Sequence, residues 1–223
     1  MIKEIRITPS ILNADFSDLK NEIAKIADVS DLLHLDIMDN IFVPNFTFDF
    51  QAAEAIITQS SLPVDAHLMV SDVDSIAPAY AEAGCDSVTF HVEAAADISM
   101  TIKSIKSLGS RASIAIKPET DLNSYSDFLD DIDMILIMTV EPGFGGQSFR
   151  EDMLPKISQA KKLIGDRPIW LQVDGGISER TIEMASEAGA DTFVAGSAVF
   201  NSDNPAAMVQ TLRRLAQGNS SNL

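Results

Sequence analysis

In Leu33-His34-Leu35-Asp36-Ile37-Met38 a histidine and an aspartate stand two residues apart in an otherwise apolar run. Side chains on a β-strand alternate between its two faces. Leu33, Leu35 and Ile37 therefore share one face, and His34, Asp36 and Met38 share the other. An imidazole beside a carboxylate can hold a cation, move a proton, or close on itself as a buried core pair, and this stretch alone leaves all three open. Two further stretches bear on the choice. Val64-Asp65-Ala66-His67-Leu68-Met69 sets His67 on one face with Met69, and Trp170-Leu171-Gln172-Val173-Asp174 leaves Asp174 at the rim ahead of Gly175-Gly176. His34, Asp36, His67 and Asp174 form a set of two nitrogens and two oxygens. Such a set suits a borderline divalent ion, Zn²⁺ first, with Fe²⁺, Mn²⁺ or Co²⁺ as alternatives. The third histidine, His91, is read as a core or supporting hydrogen bond rather than a ligand.

A second group of residues is chemically quieter. Glu141-Pro142-Gly143-Phe144-Gly145-Gly146-Gln147 is neither a dinucleotide fingerprint nor a phosphate loop of the Walker type. Its glycines nevertheless let backbone N–H groups converge on an anion. Gly175-Gly176 and Gly196-Ser197 make two more small-residue turns. Ordinary chain reversal is the plain alternative for all three. Met38, Met69 and Met138 each fall near the end of a different apolar run, as core filler or as an adaptable lining over a site.

Holding residues 34, 36, 67 and 174 together requires a scaffold. Short apolar runs occur at 6–12, 32–38, 64–69, 87–91, 112–116, 134–139, 169–173 and 192–195. Amphipathic stretches with helical spacing separate them at 16–27, 50–58, 73–83, 98–108, 122–129, 154–164, 179–188 and 205–216. Ser178 is placed as an N-cap, and Gly84, Gly109 and Gly189 as helix stops. Strands alternating with helices imply a parallel sheet with right-handed crossovers. Eight such units in 223 residues predict a (β/α)8 TIM barrel, one α/β domain over 1–223 with a frayed polar tail from about 217. The catalytic ends of such barrels are the C-terminal ends of the strands, where His34, Asp36, His67 and Asp174 fall, and the loops after strands seven and eight are where phosphate is usually held.

Composition narrows the partners. A formal charge of −17 argues against nucleic acid and anionic membranes, which are bound through Lys and Arg. An anionic ligand would then have to be held by backbone donors and helix N-termini, which the glycine turns supply. No run of about 18 apolar residues predicts a membrane span. The single cysteine, Cys85, and a first segment without the apolar core of a secretory signal predict a cytoplasmic protein.

Taken in order, several segments resemble the ribulose-phosphate 3-epimerase family across nearly the whole chain. They are Pro9-Ser10-Ile11-Leu12-Asn13-Ala14-Asp15, His34 to Asp39, Phe42-Val43-Pro44-Asn45, His67-Leu68-Met69, Met138 to Gln147, Val173 to Gly176 and Ala195-Gly196-Ser197. The resemblance implies a metal-dependent barrel that interconverts ribulose 5-phosphate and xylulose 5-phosphate in the pentose phosphate pathway, working as a homo-oligomer. It implies that His34, Asp36, His67 and Asp174 hold the metal, with Asp36 and Asp174 doubling as the acid–base pair. It also implies that Ser10 and His67 touch the substrate, and that Gly143, Phe144, Gly145, Gly146, Gly175, Gly176, Gly196 and Ser197 surround its phosphate end. Asn40 stands where many members have glycine, and Lys117 where many have asparagine. Rival readings are an allulose 6-phosphate 3-epimerase, a lyase using Lys117 as a Schiff-base amine, and a barrel that binds sugar phosphate without turning it over.

Overall fold

The structure is a computed structural model that describes residues 4–218, so most of the expected polar tail lies outside the described residues. Eight strands alternate with helical segments: β1 (Arg6–Thr8), β2 (Leu33–Met38), β3 (Val64–Met69), β4 (Ser87–His91), β5 (Arg111–Ile116), β6 (Met134–Met138), β7 (Trp170–Asp174) and β8 (Thr192–Val194). All neighbours are parallel, in the order β1-β8-β7-β6-β5-β4-β3-β2. The last gap, between β1 and β2, is bridged where His34 N–H donates to the Pro9 carbonyl (3.0 Å) and Ser10 pairs with His34. The sheet thus closes into the predicted barrel.

The helices are α1 (Leu19–Ile26), α2 (Phe50–Gln59), α3 (Val73–Glu82), α4 (Ile98–Ser107), α5 (Leu154–Ile164), α6 (Ile182–Glu187), α7 (Ser197–Phe200) and α8 (Pro205–Ala216). Short polar side chains start several of them: Asp49, Asp97 and Asn204 each accept from a backbone N–H in the first turn of α2, α4 and α8. Leu33, Leu35 and Ile37 are buried against this helical shell, within one core that also takes Ile57 of α2, Ile105 of α4 and Leu212 of α8. The inward faces of the strands carry a different population. Ala115, Leu136, Met138 and Val140 form one apolar group and Met38, Val43 and Met69 another, while Thr8, His34, Asp65, His67, Thr89, His91 and Gln172 are buried polar residues. At the strands' N-terminal ends the Trp170 ring meets two guanidinium groups, Arg6 at 3.9 Å and Arg111 at 4.3 Å. Two cation–π contacts on one ring close the barrel floor.

Several predicted elements differ. The 122–129 stretch is a 3₁₀ helix (Leu122–Phe128), not an α-helix, because Asp121 accepts from Asn123 N–H and Ser126 donates to the Asn123 carbonyl. Such local bonds compete with the α-helical ladder. The first strand is shorter than 6–12, since a 3₁₀ turn (Ile11–Asn13) begins at Ser10, whose Oγ accepts from Leu12 N–H. Ser178 does not cap α6. Thr181 Oγ1 instead accepts from Ser178 N–H (2.9 Å) and donates to the Gly176 carbonyl (2.8 Å), delaying the helix to Ile182.

Candidate active site and metal centre

Alternation on β2 and β3 delivers the expected groups to the barrel mouth. One donor atom each from His34, Asp36, His67 and Asp174 lies within 4.8 Å of the others. His67 Nδ1 stands 3.1 Å from Asp36 Oδ1 and 3.6 Å from Asp174 Oδ2, and His34 Nε2 stands 3.4 Å and 3.9 Å from the same two oxygens. The two ring nitrogens are 3.3 Å apart. Four donors with bonds of about 2.0–2.2 Å to one ion are separated from each other by about 3.3–3.6 Å. The cluster fits a divalent ion. His34 and Asp36 are buried, His67 is fully enclosed, and Asp174 keeps 19% of its side chain exposed at the rim.

The electrostatics agree with that use. Burial alone would lower the His34 pKa, but the Asp36 and Asp65 carboxylates beside it hold it well above the ordinary value. Burial would likewise raise Asp36, yet His34 and His67 bring it well below the usual carboxylate range. Asp174 goes the other way: burial and then the charge of Asp36 push it up to about 6. The two carboxylates are therefore unlike, one firmly ionised and one ready to carry a proton. Positive charge is favoured at the centre of the cluster, as a cation-binding donor set requires.

Residues beyond the four hold these groups in place. Asp65 accepts from Thr89 Oγ1 (2.9 Å) and Gln172 Nε2 (2.9 Å), and meets His34 Nδ1 at 3.0 Å. A carboxylate on the far nitrogen of a ligating histidine orients the ring and raises its basicity. Ser10 Oγ donates to Asp36 Oδ2 at 2.5 Å. His91 Nε2 lies 3.0 Å from His67 Nε2, and its Nδ1 lies 3.2 Å from Glu93 Oε2. Burial would raise Glu93, but hydrogen bonds from His91, Thr120 and the Lys117 N–H bring it down to about 2. The sequence reading did not single out Asp65, although its place on the inward face of β3 with His67 could have found it; Glu93 lies past the end of β4, where alternation no longer applies.

Beside the cluster a cavity opens, lined by Ser10, Asp36, Met38, Met138, Asp174 and the glycine turns. Phe144, Gly145, Gly146, Gly175, Gly176, Gly196 and Ser197 all face it. Gly143 and Met69 do not: the Gly143 carbonyl accepts from Asn45 Nδ2 (2.8 Å), and Met69 packs on Met38 and Val43. Asn13 is a lining residue that spacing did not single out. A Cβ on Gly145 would stand 2.6 Å from its Oδ1, and one on Gly196 2.8 Å, so both glycines make room for that amide. Gly176 is needed for its backbone: φ is +67°, and a Cβ would meet Phe149 N at 2.2 Å. Asn40 also adopts a left-handed conformation (φ 59°), which asparagine tolerates better than most side chains, so the turn keeps a glycine-like shape. The Lys117 ammonium lies 3.7 Å over the Phe42 ring.

A model of the Ribulose-phosphate 3 epimerase family matches residues 6–200. The chain belongs to the ribulose-phosphate 3-epimerase family. The ribulose-phosphate 3-epimerase of Mycobacterium leprae is 47% identical over 212 residues, 94% of this chain and 94% of that one. That of Bacillus subtilis is 39% identical over 213 residues, 94% of this chain and 98% of the relative. Among solved structures, 3-keto-L-gulonate-6-phosphate decarboxylase from Vibrio cholerae superposes with a TM-score of 0.73 at 19% identity, covering 96% of this chain and 98% of that one, a likeness of fold. As a member of the ribulose-phosphate 3-epimerase family the chain is an isomerase acting on carbohydrates. Among the described residues no helix is long and apolar enough to cross a membrane.

Proposed function

We propose that this chain inverts carbon 3 of D-ribulose 5-phosphate to give D-xylulose 5-phosphate, reversibly, with Zn²⁺ held by His34, Asp36, His67 and Asp174. The observation that carries the reading is the pairing of unlike carboxylates, Asp36 from β2 and Asp174 from β7, within 4.8 Å of two imidazole nitrogens. Inverting a carbon next to a ketone means removing its proton from one face and returning one to the other. Asp36, ionised, takes the carbon 3 proton and leaves an enediolate. Asp174, protonated, then delivers a proton to the opposite face. The reverse reaction starts from the exchanged protonation states, so one pair serves both directions. A bound divalent ion supplies Lewis-acid stabilisation of the negative charge that develops on the sugar oxygens.

The rest of the site binds and orients. Ser10 holds Asp36 through Oδ2, leaving Oδ1 toward the imidazoles. Met38 and Met138 line the cavity and keep water from the reacting carbon. The turns at Gly145–Gly146, Gly175–Gly176 and Gly196–Ser197 present backbone N–H groups to the phosphate, and the cavity lining contains no Lys or Arg. The structural relative from Vibrio cholerae is named for a phosphorylated sugar acid that it decarboxylates in the same barrel fold, which supports this class of ligand. Exposed Ile41, Phe46 and Phe50 support a homo-oligomer, and the buried free Cys85 supports a cytoplasmic setting.

The test is an assay of the zinc-loaded chain on ribulose 5-phosphate and allulose 6-phosphate side by side, repeated after chelation and metal add-back. The pentose should give the higher kcat/KM, and activity should vanish and return with the metal. A preference for the hexose would reassign the substrate, and full activity after verified metal removal would overturn the metal centre.

A further inference from the structure

The Glu93–His91 pair has no part in the proton transfer, yet it lies in line with a ligand. His67 is fully buried, with Nδ1 turned to Asp36 and the His34 ring and Nε2 meeting His91 Nε2 at 3.0 Å. A ring nitrogen that carries a proton cannot ligate a metal. His67 therefore serves the cluster only as the tautomer protonated on Nε2. Two facing Nε2 atoms cannot both carry protons, nor both be bare, if they are to bond. What decides between the two arrangements is the far side of His91.

There Glu93 is already committed as an acceptor. Its Oε1 receives the Lys117 N–H at 2.9 Å, and its Oε2 lies 3.2 Å from His91 Nδ1. A carboxylate only accepts, so His91 must donate from Nδ1. Its Nε2 is then bare and must accept, which forces His67 to donate from Nε2 and bares Nδ1 toward the cluster. The Phe42 ring packs on His91 with centroids 5.0 Å apart, and Lys117 Nζ lies 3.7 Å from the centroid of that ring. The relay is thereby enclosed.

We infer that Glu93 and His91 are positioning residues that set the tautomer of His67 and so prepare Nδ1 for the metal. The inference rests on the metal-centre reading of the preceding subsection. Two measurements test it. In ¹⁵N-edited NMR of the imidazole nitrogens, wild-type His91 should carry its proton on Nδ1 and His67 on Nε2. Protons found on His91 Nε2 and His67 Nδ1 in the folded chain would overturn the inference. In a competition titration against a chromophoric chelator, Glu93→Gln, whose amide can donate or accept, should bind Zn²⁺ about tenfold more weakly than wild type. Glu93→Asp should recover part of that loss, while both variants keep the wild-type circular dichroism. Zinc affinity unchanged in Glu93→Gln would overturn the relay. A wild-type chain without zinc affinity would instead overturn the metal centre, and the tautomer spectrum would still decide the relay.

Discussion

Asp36 and Asp174 are one residue type set to different work by what touches them. Asp36 accepts the Ser10 hydroxyl and faces two imidazoles; Asp174 stands at the rim, raised by burial and by the charge of Asp36 itself. Glu93 and Cys85 respond to their surroundings in equally readable ways. Glu93 sits at about 2 against an ordinary value near 4.5, so the folded state binds its proton less readily than the unfolded chain. Its contribution to stability is complete above about pH 4.5 and is lost as the pH falls toward about 2. The urea midpoint of wild type should therefore drop more steeply between about pH 5 and pH 3 than that of Glu93→Gln; parallel slopes would contradict this. Burial pushes the Cys85 thiol up to about 12, leaving almost no thiolate at neutral pH. The native chain should resist thiol-labelling reagents until it is denatured, and rapid labelling of the folded protein would show the site to be wrongly placed.

At the scale of elements, the loops after the strands have to approach one another closely. Asn13, in the turn after β1, fits between Gly145 and Gly196, and Asn45 after β2 donates to the Gly143 carbonyl. Gly145→Ala would put a methyl into the Asn13 amide. It should raise KM for the sugar phosphate on the order of tenfold, about 1.4 kcal/mol, with little change in melting temperature because position 145 lies in an exposed loop. An unchanged KM would show that the amide yields freely. These loops also mark where the sequence stops being legible. Period-two alternation placed His34, Asp36, His67 and Asp174 correctly, because strand geometry alone sends them inward. The same alternation also points Asp65 inward, but its role depends on Gln172, 107 residues away, and that partnership exists only once the barrel closes. Asn13 and Glu93 lie where the chain has left its strand, so no periodicity points to them.

Over the whole molecule, 33 acidic side chains against 16 basic ones surround a site that takes an anion. The global field repels a phosphorylated sugar, and at its phosphate end only local backbone donors attract it. Raising the ionic strength from about 0.01 M to about 0.15 M should therefore increase kcat/KM, about twofold or more, as the repulsion is screened. A fall would reveal a basic funnel that the lining residues do not contain. Such a charge distribution is compatible with catalysis because the barrel keeps the cluster enclosed: the strands bring the four donor groups to one end, and the helical shell buries their backs. The central claim is that two carboxylates exchange carbon 3 protons on opposite faces of the sugar. Its most direct test is turnover of ribulose 5-phosphate in D₂O by zinc-loaded wild type, Asp36→Asn and Asp174→Asn, read at carbon 3 by NMR. Wild type should place deuterium at carbon 3 of xylulose 5-phosphate, and each variant should invert that carbon at least about 10²–10⁴-fold more slowly. Inversion by either variant at near wild-type rate, or wild-type product without deuterium at carbon 3, would contradict it.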